Sequence, residues 1–269
     1  MNRLRQGAAL KRALPLIAAT AALGLTAPPA LAEAAPWEDG PVGTVGKLVW
    51  DAGGGQLGMC SGSVVDAPNG SVVATAAHCV RTRENPEPPA EVWFVPGYDH
   101  GRDTYQQDGW RVTGFHTPEG WDISRDTTEI LHHDYAFLTL AEKDGVTVQA
   151  AHGANRPVFE PVPEDRDVAV LGYPAVAPYD GESLHWCAGP TDVLDAAEAD
   201  EANVGGLMLD GCDLTAGSSG GPWLQDWDAE SGSGALVAVM SVGSGEGQVV
   251  GRPFPAEAAD LLATAGAAP

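Results

Sequence analysis

The sequence predicts an all-β fold that closes with a single helix. Glycine and proline, which number 34 and 21 among the 269 residues, divide short apolar runs along the whole chain, and this punctuation favours many short strands over long helices. A helical pattern occurs only over Pro255 to Ala265, with a proline near its start and a glycine at its close. We predict eleven strands, at Val45–Trp50, Cys60–Val65, Val72–Ala76, Glu91–Val95, Trp110–Phe115, Tyr135–Leu140, Asp167–Leu171, Gly206–Leu209, Trp223–Gln225, Ala235–Val242 and Gln248–Val250.

The first residues have the pattern of a secretory signal peptide. Four basic residues come first, an apolar stretch follows from Ala13 to Thr26, and the run Ala-Leu-Ala that ends at Ala32 fits a small-x-small cleavage site. The apolar stretch is too short to span a membrane, and no later segment is long enough. We therefore predict that residues 1–32 are removed, that the chain is secreted, and that it has no membrane-embedded part.

The charge balance argues against nucleic acid and anionic lipid as partners. Lys and Arg number 14 against 37 Asp and Glu, a formal net charge of −23, and such a surface repels polyanions. Acidic chains can be disordered, but a hydrophobic content of 44% with eight tryptophans is enough for a packed core. Solubility outside the cell, or tolerance of salt, explains this acidity better than a dedicated cationic partner.

Two motifs supply a base and a hydroxyl nucleophile. His78 follows an apolar strand in the run TAAHC, and Ser219 lies far downstream in the run GSSGGP. A serine hydroxyl is a poor nucleophile at neutral pH unless an imidazole removes its proton, and the imidazole needs an acid that fixes its tautomer. Asp134, at the mouth of the strand in HHDYAFLTL, is the candidate acid. Alone, each motif could be a plain turn or a structural histidine; together they predict an acyl-transfer site.

The order of these three residues carries a family resemblance. The sequence His78, Asp134, Ser219 resembles that of the chymotrypsin-like serine proteases, whereas subtilisins and α/β-hydrolases arrange the same residues differently. The runs GKLVW, CSGSVV and FVPG recur in similar order in the secreted bacterial branch that includes glutamyl-endopeptidase-like proteins.

That resemblance implies a fold and an activity. The fold would be two packed six-stranded antiparallel β-barrels with a C-terminal helix, one lobe over residues 33–150 and the other over residues 151–269, with the crossing near Asp144 to Val158. The activity would be that of a secreted, monomeric serine endopeptidase that cleaves polypeptides and requires no cofactor and no metal.

The small residues around Ser219 have a physical purpose. The chain must turn sharply there so that the backbone N–H groups of Gly217 and Ser219 point at one spot and form an oxyanion hole. The resemblance further implies that Ser241 supports the buried acid and that Gly243 lines the substrate pocket. Asp213 stands where trypsins keep the acid that binds Lys or Arg, so it predicts basic specificity, although it could instead cap a turn.

Two departures from the family pattern concern activation and specificity. Ser218 replaces the acid that captures a new N-terminus in trypsin-like enzymes, so activation by that ion pair is not expected. Met240 replaces the histidine of glutamyl endopeptidases, which weakens the prediction of glutamate specificity.

The four cysteines are expected to pair in an exported chain, and three pairings are possible. The resemblance implies a bridge next to the histidine, between Cys60 and Cys79. It leaves Cys187 and Cys212 for a second bridge, which would tie a loop of the second half to the approach of the nucleophile. A zinc site is the competing interpretation, but the sequence has no Cys-x-x-Cys spacing.

Other functions fit parts of the sequence. His132 and His133 suggest a metal, yet no third ligand is singled out, and we interpret them as loop residues. An esterase-like activity would use the same nucleophile. A barrel that has lost turnover and serves as a binding or regulatory protein is the main alternative, and a lectin-like module would need clustered surface aromatics that the sequence does not indicate.

Overall fold

The computed structural model describes residues 34–100, 105–164, 166–197, 199–243 and 247–268. The predicted signal peptide lies outside the described residues. The fold is mostly β, as predicted, and ends in a helix. The strands are β1 (Ala35–Pro36), β2 (Val45–Gly53), β3 (Gln56–Val65), β4 (Val72–Thr75), β5 (Val92–Pro96), β6 (Trp110–His116), β7 (Ala136–Leu140), β8 (Arg156–Pro157), β9 (Asp167–Gly172), β10 (His185–Pro190), β11 (Asp192–Val193), β12 (Leu207–Asp210), β13 (Pro222–Asp228), β14 (Ser233–Gly243) and β15 (Gln248–Pro253). The helices are α1 (Tyr105–Asp108), α2 (Thr127–Ile130), α3 (Val148–His152) and α4 (Ala258–Ala267).

The first lobe is a closed barrel of six antiparallel strands in the order β2-β3-β4-β7-β6-β5. Strand β2 bonds to neighbours on both sides, so that Leu48 lies opposite Cys60 of β3 and Phe94 of β5. Inward side chains such as Leu48, Val64, Phe94 and Leu138 pack together in its core. Successive side chains of a strand point to its two faces, and in β4 and β7 both faces are buried, which accounts for the short apolar runs from which the six strands were predicted.

The second lobe is built on a nine-stranded sheet in the order β1-β10-β9-β13-β14-β15-β12-β11, with β8 added in parallel to β14. Trp223 of β13 is fully buried there, in a core that includes Val170, Leu209 and Val237. Strand β1 pairs with β10, so the N-terminal residues 35–36 sit with the second lobe although the first barrel follows them in the chain.

Four strands escaped prediction, and one of them matters for the site. Strands β1, β8 and β11 have two residues each, whereas β10 is a full strand, His185–Pro190. Only one of its side chains, that of Cys187, is fully buried, so the sequence lacks an alternating apolar signal. The expectation that Cys187 lies in a loop is therefore wrong: it pairs with Val170 of β9.

Helix α4 packs against the first barrel and is anchored there by side chains. The amide of Asn69 donates hydrogen bonds to the carbonyl oxygens of Ala265 and Ala268, at 3.2 and 3.0 Å. The hydroxyl of Thr139 on β7 donates to the Ala265 oxygen at 3.0 Å. No helix among the described residues is long and apolar enough to cross a membrane.

The two lobes share an aromatic cluster. Phe254, which follows β15 of the second lobe, is buried and lies 5.5 Å from Phe137 of the first barrel, measured between ring centroids. Tyr135 and Phe159 have their ring centroids 5.8 and 6.2 Å from that of Phe254. Phe254 therefore joins the core of one lobe to the residues that flank Asp134.

We expect Phe254→Ala to lower the free energy of unfolding by about 3–5 kcal/mol, because the truncation leaves a cavity where the lobes meet. Phe254→Leu, which keeps most of the buried volume, serves as the control and is expected to lose much less. Urea unfolding followed by tryptophan fluorescence measures both. An alanine variant as stable as the leucine variant would contradict this role.

Candidate active site

His78 is positioned by a tight turn at the end of β4. The 3-10 turn Ala77–Cys79 begins one residue after the strand ends, and Ala77, its first residue, is buried. Cys79 forms a disulfide with Cys60 of β3, which fixes the turn to the neighbouring strand. The imidazole side chain is 25% exposed, so His78 faces both the buried core and solvent.

Asp134 is fully buried and is held by three hydrogen bonds. It closes the 3-10 turn Leu131–His133, just before β7. The backbone N–H of His78 donates to its Oδ1 at 2.9 Å, and the ring Nδ1 of His78 lies 2.8 Å from its Oδ2. The hydroxyl of Ser241 on β14 donates to the same Oδ2 at 2.6 Å. A carboxylate bonded in this way sets the orientation and the tautomer of the imidazole, leaving Nε2 as the free base.

The attraction between His78 and Asp134 outweighs the effect of burial on both groups. Burial acts to raise the pKa of Asp134, but the charge of His78 and the hydrogen bonds from His78 and Ser241 hold that pKa below its usual value. Burial acts to lower the pKa of His78, but the charge and hydrogen bond of Asp134 raise it above its usual value. The pair is therefore built to stabilise a protonated imidazole beside an ionised carboxylate.

The turn that carries Ser219 can contain only small residues. Gly217 has a φ of +103°, and a Cβ atom there would lie 2.4 Å from the carbonyl oxygen of Tyr173. Gly220 has a φ of +80°, and its Cβ would lie 2.0 Å from Oγ1 of Thr75. Backbone of this conformation in such close contact requires glycine, which explains the glycines of the motif GSSGGP.

The same turn is fastened to both lobes. The backbone N–H of Ser61 on β3 donates to the carbonyl oxygen of Ser219 at 2.8 Å, and the N–H of Gly220 donates to Met240 of β14 at 2.7 Å. Within the described part of the chain, the N–H groups of Gly217 and Ser219 have no hydrogen-bond acceptor. Two such unpaired donors on one turn are what an oxyanion hole requires.

The structure joins two of the three candidate residues directly. His78 and Asp134 are hydrogen-bonded, whereas among the described residues the Ser219 hydroxyl forms no hydrogen bond with the His78 ring. The backbone next to Ser219 is nevertheless packed closely against the histidine turn. A Cβ atom added to Gly220 would lie only 2.8 Å from the backbone nitrogen of Ala76. Nucleophile–base contacts are often long without substrate and shorten when it binds.

A cavity of about 530 Å³ opens beside Ser219. Asp213 is the only charged residue among its described lining residues, and its Oδ1 accepts hydrogen bonds from the hydroxyl of Tyr179 at 2.7 Å and the backbone N–H of Ala34 at 2.6 Å. Sequence reasoning missed the contact with Ala34, because nothing in the sequence brings the N-terminal segment to this pocket. The lining also includes Val176, Ala177, Pro178, Leu214, Thr215, Met240, Ser241, Val242, Gly243 and Gln248.

The remaining sequence candidates lie around this centre. Cys187 is bonded to Cys212, which stands just before Asp213. Ser218 is fully buried next to Ser219, and its hydroxyl has no hydrogen-bond partner among the described residues. His132 lines a separate cavity, away from Ser219.

Comparison with known proteins decides the family. The family described as the trypsin-like peptidase domain matches residues 60–232, which is more than half of the chain and includes His78, Asp134 and Ser219. The chain belongs to the trypsin-like peptidase family. As a trypsin-like peptidase it is a serine endopeptidase, and its substrates are polypeptides.

Solved structures of two proteases are similar to this trypsin-like peptidase. Protease Anisep from Arthrobacter nicotinovorans is 28% identical, with a TM-score of 0.70 over 85% of this chain and 97% of that chain. The thermostable serine protease AL20 from an extremophilic microorganism is 28% identical, with a TM-score of 0.71 over 85% of this chain and 99% of that chain. A Glu endopeptidase, 18% identical with a TM-score of 0.62 over 85% and 92% of the two chains, shares the fold. No curated protein matches the chain.

The raised pKa of His78 makes a prediction about stability and pH. His78 binds its proton more strongly in the folded state than in the unfolded state. The protonated imidazole therefore stabilises the fold at pH values below the ordinary pKa of 6.5. This contribution is lost as the pH rises through the folded pKa. We therefore expect the loss of unfolding free energy in His78→Gln to be larger at pH 5.5 than at pH 9.

The exposed His100 provides the control, because His100→Gln changes a histidine that lies outside the pair with Asp134. Urea titrations at the two pH values measure the free energies. A His78→Gln penalty that does not change with pH would contradict the pairing with Asp134.

Proposed function

We propose that this trypsin-like peptidase is a secreted endopeptidase in which Ser219, His78 and Asp134 form the catalytic triad. The Ser219 hydroxyl attacks the carbonyl carbon of the scissile peptide bond while Nε2 of His78 takes its proton. The N–H groups of Gly217 and Ser219 bind the oxyanion of the tetrahedral intermediate. His78 then donates the proton to the leaving amine, and an acyl-enzyme on Ser219 remains.

The second half of the reaction reuses the same groups. A water molecule gives a proton to His78 and attacks the acyl carbonyl carbon. His78 then donates that proton to the Ser219 oxygen as its bond to the acyl group breaks, which frees the product acid. At both stages an imidazolium forms next to Asp134, whose buried carboxylate stabilises it. Losing one oxyanion donor typically slows such a reaction by on the order of 10²–10³-fold, so the open N–H pair makes its own contribution to the rate.

One observation carries this proposal. The fully buried carboxylate of Asp134 accepts hydrogen bonds from the backbone N–H and the ring Nδ1 of His78 and from the hydroxyl of Ser241. A histidine that only filled the core would not need an ionised partner at such cost of burial. The arrangement supports a base that must carry a proton transiently.

The nucleophile is tested with a fluorophosphonate probe and an amide substrate. We expect the mature protein to be labelled and to cleave a peptide, whereas Ser219→Ala loses labelling and its kcat falls by on the order of 10⁴–10⁶-fold. His78→Ala should lose labelling as well, because the hydroxyl is then no longer activated.

The exposed Ser231 gives a matched control, since Ser231→Ala should be labelled like the wild type. Folded wild-type protein that takes up no label would reject the proposed triad. Hydrolysis of an activated ester alone would prove only a nucleophile, so the amide substrate separates the peptidase from an esterase.

A catalytically silent barrel is the second candidate function. The same fold occurs in an inactivated protease paralogue of the scabies mite, 15% identical with a TM-score of 0.54 over 84% of this chain and 96% of that chain. Here the acid and base are in contact and the glycine turn has its open N–H groups, which favours the enzyme. The probe experiment distinguishes the two.

We further propose that Asp213 gives the pocket a preference for Lys or Arg. Its Oδ1 is engaged by Tyr179 and Ala34, while its Oδ2 has no partner within the described ranges. A carboxylate oxygen in a pocket whose other lining is uncharged attracts a cationic side chain. Export after Ala32 and a monomeric state complete the proposal.

A peptide-library cleavage profile tests the pocket. We expect the wild type to cut after Lys or Arg, and Asp213→Asn to lose on the order of 10²-fold in kcat/KM for those substrates, because the charge-assisted bond is lost. Asp226→Asn, at an exposed acid outside the pocket, should keep the wild-type profile. Dominant cutting after apolar or acidic residues would remove Asp213 from this role.

A further inference from the structure

Arg252 is a buried cation behind the candidate triad. It lies on β15 opposite Val239 and is 1% exposed. Its Nε donates to the hydroxyl oxygen of Ser241 at 3.5 Å. Its terminal nitrogens donate to Asn203 in the 3-10 turn Glu201–Asn203, one to the carbonyl oxygen at 3.5 Å and one to the side-chain oxygen. The guanidinium is therefore held between that turn and Ser241.

The hydrogen bonds around Ser241 can run in only one direction. A hydroxyl has one proton, and Ser241 gives it to the carboxylate of Asp134, which at this burial and with a depressed pKa has none to donate. The Ser241 oxygen must then accept its other bond, and Arg252 can only donate. Arg252, Ser241 and Asp134 thus form a relay whose direction is fixed and which ends at His78.

The hydrogen-bond partners of the Arg252 guanidinium in the described part of the chain are neutral groups. Within the described part of the chain no carboxylate forms an ion pair with it, whereas Asp134, beyond Ser241, is the acid whose charge acts on it. Burial lowers the pKa of Arg252 to about 10, and Asp134 opposes that change. Arg252 therefore stays cationic at neutral pH, and a buried cation without a direct partner is costly unless it offsets a buried anion.

We propose that Arg252 is a positioning residue for the His78–Asp134 pair, which fixes the Ser241 hydroxyl on Asp134 and offsets part of the carboxylate's charge. The inference rests on the proposed triad. The charge of Arg252 favours the ionised form of the buried Asp134 and weakens the hold of Asp134 on the His78 proton. His78 can then return that proton to the leaving group.

Several other charged groups surround this relay. His132 and His133 stand on the turn before Asp134, and burial lowers the pKa of both, with Arg252 contributing at His132. Neither histidine is fully charged at neutral pH. The remaining charges near them are those of Arg125, Glu201 and Glu257.

Three variants separate the charge from the hydrogen bond. Arg252→Lys keeps the charge, Arg252→Gln keeps a donor without charge, and Arg252→Met keeps neither. The exposed Arg166, which pairs with Asp226 on the surface, supplies the control Arg166→Met. For each purified protein, kcat and KM are measured on an amide substrate from pH 5 to pH 10, together with the melting temperature.

Removing the cation raises the proton affinity of His78, so the acid limb of kcat/KM moves to higher pH. We expect a shift of about half a pH unit in Arg252→Gln and Arg252→Met. We expect kcat to fall about 10-fold in Arg252→Met, with KM nearly constant, because Ser241 loses its donor. Arg252→Lys and Arg166→Met should keep the wild-type acid limb.

Each result bears on a different claim. Neutral variants whose acid limb coincides with that of the wild type would overturn the proposal, even if their melting temperatures fall, because a merely structural arginine predicts that outcome. If Arg252→Met does not fold, the comparison of Arg252→Gln with Arg252→Lys gives the same decision. A wild-type protein that is folded, unlabelled and inactive would instead reject the triad itself.

Discussion

The site depends on one buried carboxylate and the donors that surround it. Asp134 is ionised without contact with water because His78 and Ser241 supply three hydrogen bonds to its two oxygens. His78 and Asp134 belong to the first barrel, and Ser241 belongs to the second lobe. A carboxylate left with fewer donors would have to take up a proton or expose itself to solvent. The contact between the lobes therefore supplies one of the three donors that keep the acid charged.

The rest of the cleft follows from how tightly the backbone is packed around Ser219. Gly217 and Gly220 take positive φ values in places where a single methyl group would strike a carbonyl or a hydroxyl. That crowding restricts the turn to residues without a side chain at these two positions, and it supports the proposal that the open N–H groups are held in place before substrate arrives. Preorganised donors of this kind cost no reorganisation during the reaction.

Much of this could be predicted from sequence, for a physical reason. The six strands of the first barrel are short apolar runs, with β4 and β7 buried along their whole length, and His78, Asp134 and Ser219 lie in short motifs whose order indicates the family. Strand β10 could not be predicted, because only Cys187 among its side chains is fully buried. Arg252 and the contact of Ala34 with Asp213 were missed because each depends on a distant part of the chain: Asn203 is 49 positions from Arg252, and Asp213 is 179 positions from Ala34.

Helix α4 packs on the face of the first barrel's strands that is turned away from the barrel core, and a hydrogen bond there joins Asn69 to Ala265, 196 positions along the chain. Leu262 and Ala265 of the helix pack with Val65, Val72 and Phe137 in one cluster. A ribosome therefore releases every strand of that barrel long before the helix that packs on β4, β6 and β7. The nascent first barrel keeps an uncovered apolar face until α4 has been synthesised, so this part of the hydrolase is completed only after contacts of very long range have formed.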